Sequence, residues 1–237
     1  MNIFIKIKRE IERRKALRDL YDDVKNLDEV LLEKRIEIFK EIVTPKFAEI
    51  GLNNWNGKYL WYSDFNNEGI KHVIQFHKFR GFKGTFSFGN CFYSVPTISG
   101  KKLVNHRTDK STKIMYLKTL DGYLSKKIVN PDFVGTVNEK KFRDSLDQVL
   151  SRNIPKFEKW FLGKKTINEN IAGLQVDINH PLAGVLDPLI ISYEYILSFL
   201  YKQQKDPKSS EYWINKHLEK NLNSEMEKKL ILERIKK

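Results

Sequence analysis

The hydrophobic period of the chain changes twice, and these changes constrain its fold more than any other feature. Apolar residues recur at helical spacing before Gly51, alternate with a period of two between Tyr59 and Leu120, and return to helical spacing after Asn138. Helices bury every third or fourth residue, whereas half-buried strands bury every second one. Since no helix long enough for a parallel crossover separates the strands, they must pair antiparallel. The sequence therefore predicts an α+β fold, an antiparallel β meander flanked by N-terminal helices and a C-terminal helical region.

The same pattern divides the chain into three predicted parts. We expect an N-terminal helix within residues 1–27 and an α+β core domain over residues 28–163. A C-terminal helical region over residues 164–237 is expected to pack on the core or on a partner. At 237 residues the chain is long enough for one large domain with such an extension.

Two helices are predicted before the strands. The first covers about residues 3–24, and the second runs from about Leu31 to Ile50. Because Pro45 cannot continue the helical hydrogen-bond ladder, the second helix should kink or restart near Thr44. Gly51 is a natural position for its C-terminal cap.

The strand region carries clear alternation and turn signals. Ile70–Phe79 alternates throughout, and Thr85–Val95 is a further aromatic strand. The pairs Ser99-Gly100 and Asp121-Gly122 are typical of hairpin turns and flank a strand at Ile114–Leu120.

The C-terminal third is predicted to be helical. A helix begins at Asn138 and is expected to bend or break at Ile154-Pro155. Asp187-Pro188 indicates the start of another helix, with Asp187 as the N-cap and Pro188 at the first helical position. Ser209 or Ser210 is predicted to cap the last helical stretch.

Positive charge is concentrated on the strands. The chain has a net charge of +13, and residues 71–127 carry twelve Lys and Arg against two acids, a net charge of +10. Such a region predicts a surface for an acidic protein partner or for nucleic acid. Aromatic residues interleaved with bases at residues 77–83 are typical of single-strand binders, although most of these rings could instead be core while the lysines face solvent. The candidate binding residues are Lys78, Arg80, Phe82, Lys83, Lys101, Lys102 and Arg107.

The strands lack the residues that most catalytic sites need. No Asp or Glu occurs from Gly69 to Thr108, so these strands cannot supply the carboxylate clusters of Mg²⁺-dependent enzymes or the carboxylate pairs of glycosidases. We therefore predict no catalytic, cofactor-binding or metal-binding residue there. The glycines at Gly81, Gly84 and Gly89 match no phosphate-binding loop, because no helix follows them.

Other reactive side chains favour structural roles. His72 and His77 are an odd number of residues apart on one strand, so they should face opposite sides of the sheet. Cys91 lies in an apolar strand and is expected to be a buried, inert thiol. The polar loop of Asp177, Asn179 and His180 could serve a catalytic role, yet it is equally a run of turn formers.

The order of residues between Ile38 and about Phe88 is similar to that of a known family. The shared features are a helix with Ile42, Pro45, Phe47 and Gly51-Leu52, then the segments Tyr59-Leu60-Trp61-Tyr62, Ile74-Gln75-Phe76 and Phe86-Ser87-Phe88-Gly89. In these features the chain resembles the bacterial family catalogued as domain of unknown function 4304, whose domain would extend to about residue 162. The resemblance implies a bacterial α+β domain with an antiparallel sheet. It implies no functional residue, because no activity is established for the family.

Three hypotheses for function follow. The first is a non-enzymatic protein-interaction module with an acidic partner, such as an immunity or phage-defence subunit. The second is a nucleic-acid-binding accessory protein that uses the basic face of the sheet, and the third is an enzyme with a site near His180. A cytoplasmic location is expected, because Cys91 is the only cysteine and the longest apolar stretch, Leu186–Tyr201, is too short and too polar to span a membrane.

Overall fold

The computed structural model describes residues 7, 10–12, 29–79, 82–100, 102–120, 131–178, 191–220 and 225–236. Over these residues the fold is α+β, as predicted: an antiparallel sheet is preceded and followed by helices. The predicted helix over residues 3–24 lies mostly outside the described residues. No helix of the described segments is long and apolar enough to cross a membrane.

The helix before the sheet changes its winding near Pro45. Helix α1 (Leu32–Ile38) continues through a π-helical turn (Phe39–Val43) into helix α2 (Thr44–Glu49). The α-helix therefore restarts at Thr44, as predicted, because the proline lacks the N–H that an uninterrupted ladder needs. Gly51 has φ +87°, which confirms its role in ending the helix.

In the described part of the chain the main sheet has six strands, which are β1 (Asn54–Trp55), β2 (Leu60–Tyr62), β3 (Ile70–Phe79), β4 (Lys83–Phe92), β7 (Tyr116–Thr119) and β8 (Val134–Gly135). Five of them lie in the order β1-β2-β3-β4-β7, and β8 also pairs with β4. All of these pairings are antiparallel. Between β4 and β7 the chain forms a separate hairpin of β5 (Pro96–Ser99) and β6 (Lys102–Asn105).

The predicted strand Ile70–Phe79 is confirmed in full, and Gly100 at φ +59° lies in the predicted turn of the separate hairpin. The predicted turn at Asp121-Gly122 lies outside the described residues.

Five helices follow the sheet within the described residues. They are α3 (Glu139–Leu162), α4 (Ile167–Ile178), α5 (Tyr193–Gln203), α6 (Pro207–Lys220) and α7 (Glu225–Lys236). The N-cap of α3 is Asn138, as predicted, and its side-chain oxygen accepts a hydrogen bond from the backbone N–H of Lys141 at 2.9 Å.

A bend or a break was predicted at Ile154-Pro155, and the break is wrong, because α3 is continuous through the proline. Pro155 cannot donate to the carbonyl of Ser151, but Ser151 is exposed, so water can take that acceptor. Asn153, on the buried side, donates through its side-chain amide to the carbonyl of Val149 at 2.9 Å.

Polar side chains cap the starts of α5 and α6. Ser192 is the N-cap of α5, and its hydroxyl accepts from the N–H of Tyr195 at 3.2 Å. The predicted cap and first helical residue, Asp187-Pro188, lie outside the described residues. Asp206 caps α6 by accepting from the N–H of Ser209 at 3.0 Å, so neither Ser209 nor Ser210 is the cap. A carboxylate beside Pro at the first helical position is the stronger signal.

Two hydrophobic clusters cover different parts of the sheet. The first joins α1, α2 and α3 to one sheet face through rings such as Phe39, Trp61 and Phe86. The second joins the start of β3 and the end of β4 to helices α4 to α7, with Ile70, Phe92 and residues of α5 among its buried members. The C-terminal helices therefore pack on the core at this end of the sheet.

A buried chain of hydrogen bonds fixes the α3–α4 junction to the sheet. The ring Nδ1 of His72 lies 2.7 Å from Oδ1 of Asn90, and the Asn90 amide donates to Oδ1 of Asn170 at 2.7 Å. Asn170 in turn donates to the carbonyls of Lys164 and Thr166 at 2.9 and 2.8 Å. Both asparagines are fully buried, so these bonds offset the cost of removing two amides from water.

Candidate functional site

A groove opens where the start of β3 and the end of β4 meet the C-terminal helices. Its volume of about 560 Å³ lies within the range of ligand-binding clefts. Three aromatic side chains and three cations line it. The basic groove, as we call it, consists of Phe65, Tyr93, Phe199, Arg107, Lys202 and Arg234.

The turn before β3 holds the aromatic side of the basic groove. The side-chain oxygen of Asn66 accepts from two backbone N–H groups of this turn at 3.0 Å, and Gly69 has φ +73°. The Tyr93 N–H donates to the Gly69 carbonyl at 2.9 Å, and a Cβ at Gly69 would lie only 3.0 Å from the Tyr93 Cβ. Phe65 and Tyr93 meet edge to face with ring centroids 5.5 Å apart, and Tyr93 is 42% exposed. The turn therefore presents an aromatic ring to solvent.

The three cations come from separate parts of the chain. The Arg107 guanidinium lies over the Tyr93 ring, 4.3 Å from its centroid. Arg234 donates to Oδ1 of Asn105 at 3.2 Å, and the Lys202 ammonium donates to the Arg234 carbonyl. Burial, and then the charge of Arg234, lower the pKa of Lys202. None of the three cations forms an ion pair with a carboxylate of the described residues.

Glu68, the acidic residue that lines the groove, already has a hydrogen-bond partner for its carboxylate. Glu68 lines the groove, and its carboxylate accepts from the backbone N–H of Ile167 at 2.5 Å, at the N-terminus of α4. Its backbone carbonyl accepts from the Gln203 amide at 2.9 Å. A helix N-terminus stabilises a carboxylate, so the Glu68 charge is held by α4 rather than by the cations.

Several other cations of the strand region are neutralised by acids. These ion pairs are Lys71–Asp109 at 2.8 Å, Lys78–Glu29 at 2.5 Å and Lys118–Asp177 at 2.6 Å. Lys71 is also buried, with 2% of its surface exposed, against the rings of Tyr62 and Phe65. The basic groove differs from these positions because its cations converge without a partner acid among the described residues.

Three predicted binding residues lie at the turn end of the β3–β4 hairpin. Lys78 is paired with Glu29, and Lys83 is exposed with its ammonium 4.8 Å from the centroid of the Phe133 ring. Phe82 is half-buried, with φ +56°. The left-handed conformation is uncommon for a residue with a side chain and marks a tight turn.

The other predicted binding residues lie at the opposite end or are not described. Arg80 and Lys101 lie outside the described residues. Lys102 is exposed on β6, and Arg107 lies in the basic groove. Because β3 and β4 are ten residues long, their two ends are about 30 Å apart. The predicted set therefore does not form one patch, and the structure separates Arg107 from Lys78 and Lys83.

The described histidines have hydrogen-bond partners, in keeping with structural roles. His72 and His77 face opposite sides of the sheet, as predicted, and His180 lies outside the described residues. The contacts are His72 Nδ1–Asn90 Oδ1 at 2.7 Å, His77 Nε2–Ser87 Oγ at 2.6 Å, His106 Nδ1–Ser111 O at 2.6 Å and His217 Nδ1–Ser192 Oγ at 2.7 Å. Over the described segments no three His, Cys, Asp or Glu side chains are placed to hold a metal ion.

The surroundings of Cys91 and Asp177 also favour structural roles for these two residues. Cys91 is buried, and burial raises the pKa of its thiol, which disfavours the reactive thiolate. Asp177 accepts from the Tyr116 hydroxyl at 2.5 Å and pairs with Lys118. Its neighbour Asn179 lies outside the described residues.

The pKa shifts of three histidines predict how stability depends on pH. Burial lowers the pKa values of His72, His106 and His217. At His106 the Ser111 carbonyl can only accept, so Nδ1 carries a proton, and in the neutral ring Nε2 accepts from the Thr97 hydroxyl.

The unfolded chain, with histidine pKa values of about 6.5, should bind more protons than the folded chain below that pH. We therefore expect the free energy of unfolding to fall as pH decreases from about 7.5 to about 5.5 in urea titrations. A His217→Gln variant should show a shallower decrease. A free energy of unfolding that is constant over this interval would contradict the assignment of neutral, buried histidines.

Sequence reasoning identified one of the three cations of the groove. Arg107 was predicted from the charge of the strand region, whereas Lys202 and Arg234 lie in helices with no distinguishing local pattern. Only the packing of α5 and α7 against the end of the sheet brings them to Tyr93.

Comparisons with known proteins identify no relative. No family model matches the chain, and neither a curated protein nor a solved structure is significantly similar to it. The resemblance to domain of unknown function 4304 therefore stays a prediction, and the function must be argued from the basic groove itself.

Proposed function

We propose that the chain is a non-enzymatic binding protein that captures an acidic segment of another protein in the basic groove. The observation that carries the proposal is the convergence of Arg107, Lys202 and Arg234 on exposed aromatic surface without a partner carboxylate among the described residues. Arg and Tyr are among the side chains most enriched at protein-binding hot spots. An immunity or phage-defence subunit would be one such protein, and a cytoplasmic location fits its single, buried Cys91.

The shape of the groove favours a protein segment over a nucleic acid. Proteins that bind single strands without sequence preference use a track of cations that follows successive phosphates. Here the three cations surround one compact site, and the cations of the hairpin turn lie about 30 Å away. The apolar surface of Phe65 and Tyr93 suits an apolar or aromatic side chain beside a carboxylate.

Nucleic-acid binding is the second candidate function. It is supported by the exposed positions of Lys83 and Lys102, neither of which forms an ion pair with a carboxylate of the described residues. An enzyme with a site near His180, which lies outside the described residues, is the third.

The proposal is tested by fluorescence anisotropy with two labelled probes of matched length and charge. One is a copolymer of glutamate and tyrosine, and the other is single-stranded oligothymidylate. We expect tighter binding of the glutamate–tyrosine probe, with an affinity that weakens between about 50 and about 300 mM salt because charge pairs contribute to it. Tighter binding of oligothymidylate would favour the nucleic-acid hypothesis, and the absence of binding to either probe would overturn both.

A further inference from the structure

A second concave site lies next to the basic groove, between α6 and α7. Its volume is about 310 Å³, enough for one apolar side chain with its flanking backbone. Pro207, Ile214, Leu232 and Ile235 give it an apolar lining. We call these four residues the apolar slot.

The apolar slot and the basic groove are neighbours that share a wall. Lys202 lines both sites. On α7, Arg234 lines the groove and the next residue, Ile235, lines the slot. Consecutive helical residues point about 100° apart around the axis, so α7 presents one residue to each site. A single extended chain can therefore reach both.

The rim of the apolar slot is basic. Lys202, Lys205 and Lys236 line it, against Glu211 as the acid among its lining residues. Leu232 and Ile235 are only partly buried, which leaves apolar surface facing this basic rim. An apolar slot with a basic rim complements an apolar side chain flanked by carboxylates.

We propose that the two sites bind one extended acidic segment, with an apolar side chain of that segment anchored in the slot. Acidic residues on either side of the anchor would contact Lys202 and Lys236, and the remainder would follow the basic groove toward Arg107. This inference rests on the proposed function and adds the pattern that the partner must carry, acidic–apolar–acidic. A nucleic acid has no aliphatic side chain to occupy the slot, so this pattern also distinguishes a protein partner from a nucleic acid.

The test is a double-mutant cycle between chain and peptide, measured by isothermal titration calorimetry. The probes are an acidic peptide with one central leucine and the same peptide with alanine in its place. On the unmodified chain we expect the leucine-to-alanine change to weaken binding about tenfold or more, because it removes a buried apolar side chain. In an Ile235→Ser variant the leucine-to-alanine change in the peptide should have little effect, because the slot no longer holds the leucine. The control is a Lys229→Ser variant on the exposed side of α7, which should behave like the unmodified chain.

The outcomes separate this inference from the proposed function. If both peptides bind the unmodified chain equally, and both lose affinity at high salt, the slot proposal is wrong while binding in the basic groove stands. If neither peptide binds, both proposals fail. The comparison of peptides on the unmodified chain does not depend on how well the Ile235→Ser variant folds.

Discussion

A Gly89→Ala variant is expected to lower the free energy of unfolding by about 3 kcal/mol or more. An added Cβ would lie 1.9 Å from the backbone oxygen of Tyr116 and 2.7 Å from Cγ2 of Ile114. The neighbouring strand cannot move away easily, because Gly89 is opposite Leu117 in the β4–β7 register and the whole of this part of β4 is buried. Glycine at this position is therefore what allows β7 to pair with β4.

Gly135→Ala is the matched control. Gly135 lies on β8, which also pairs with β4, but a Cβ there would meet no heavy atom closer than Oγ of Ser145 at 3.9 Å. We expect this variant to change the free energy of unfolding by less than about 0.5 kcal/mol in urea titrations. Equal effects of the two substitutions would contradict the close β4–β7 approach.

Reversal of two charges in the basic groove is expected to have the largest effect on binding. An Arg107→Glu/Arg234→Glu variant should bind the glutamate–tyrosine copolymer about 100-fold more weakly than the unmodified chain. It removes two groups that form charge-assisted hydrogen bonds with carboxylates and adds two like charges that repel them. Fold stability should change little, since neither arginine forms an ion pair with a carboxylate of the described residues.

The control makes the same change in net charge outside the groove. Lys110 and Lys229 are exposed, the first on the short 3₁₀ turn after Arg107 and the second on α7 with Arg234. A Lys110→Glu/Lys229→Glu variant should therefore bind within about threefold of the unmodified chain at about 150 mM salt, where distant surface charges are screened. If both double variants lose affinity equally, the binding depends on overall charge rather than on the groove.

Local signals predicted much of the fold. Alternation identified β3, and Pro45 with Gly51 predicted the restart and the end of the helix before the sheet, because each acts through its own backbone. The α4 helix was not predicted from the sequence, although a capping box marks its start. Thr166 and Glu169 exchange reciprocal hydrogen bonds at 2.8 and 3.2 Å, a pattern that the sequence displays directly.

The candidate site was less predictable, for a physical reason. The charge of the strand region pointed to Arg107, but net charge does not show which cations are paired, and Lys78 proves to be bound to Glu29. Arg107 and Arg234 are distant in sequence and meet through the packing of α7 near β6, where Arg234 bonds to Asn105. No local pattern encodes a contact of that kind.

The central claim is that the basic groove is where an acidic partner binds, and photo-cross-linking tests it most directly. An acidic peptide carrying a benzophenone group would be irradiated with the unmodified chain, and the attachment sites would be mapped by mass spectrometry. We expect attachment around Tyr93, Arg107 and Arg234, and its loss in the Arg107→Glu/Arg234→Glu variant. Attachment instead at the β3–β4 turn, around Lys78 and Lys83, would contradict the assignment of the groove.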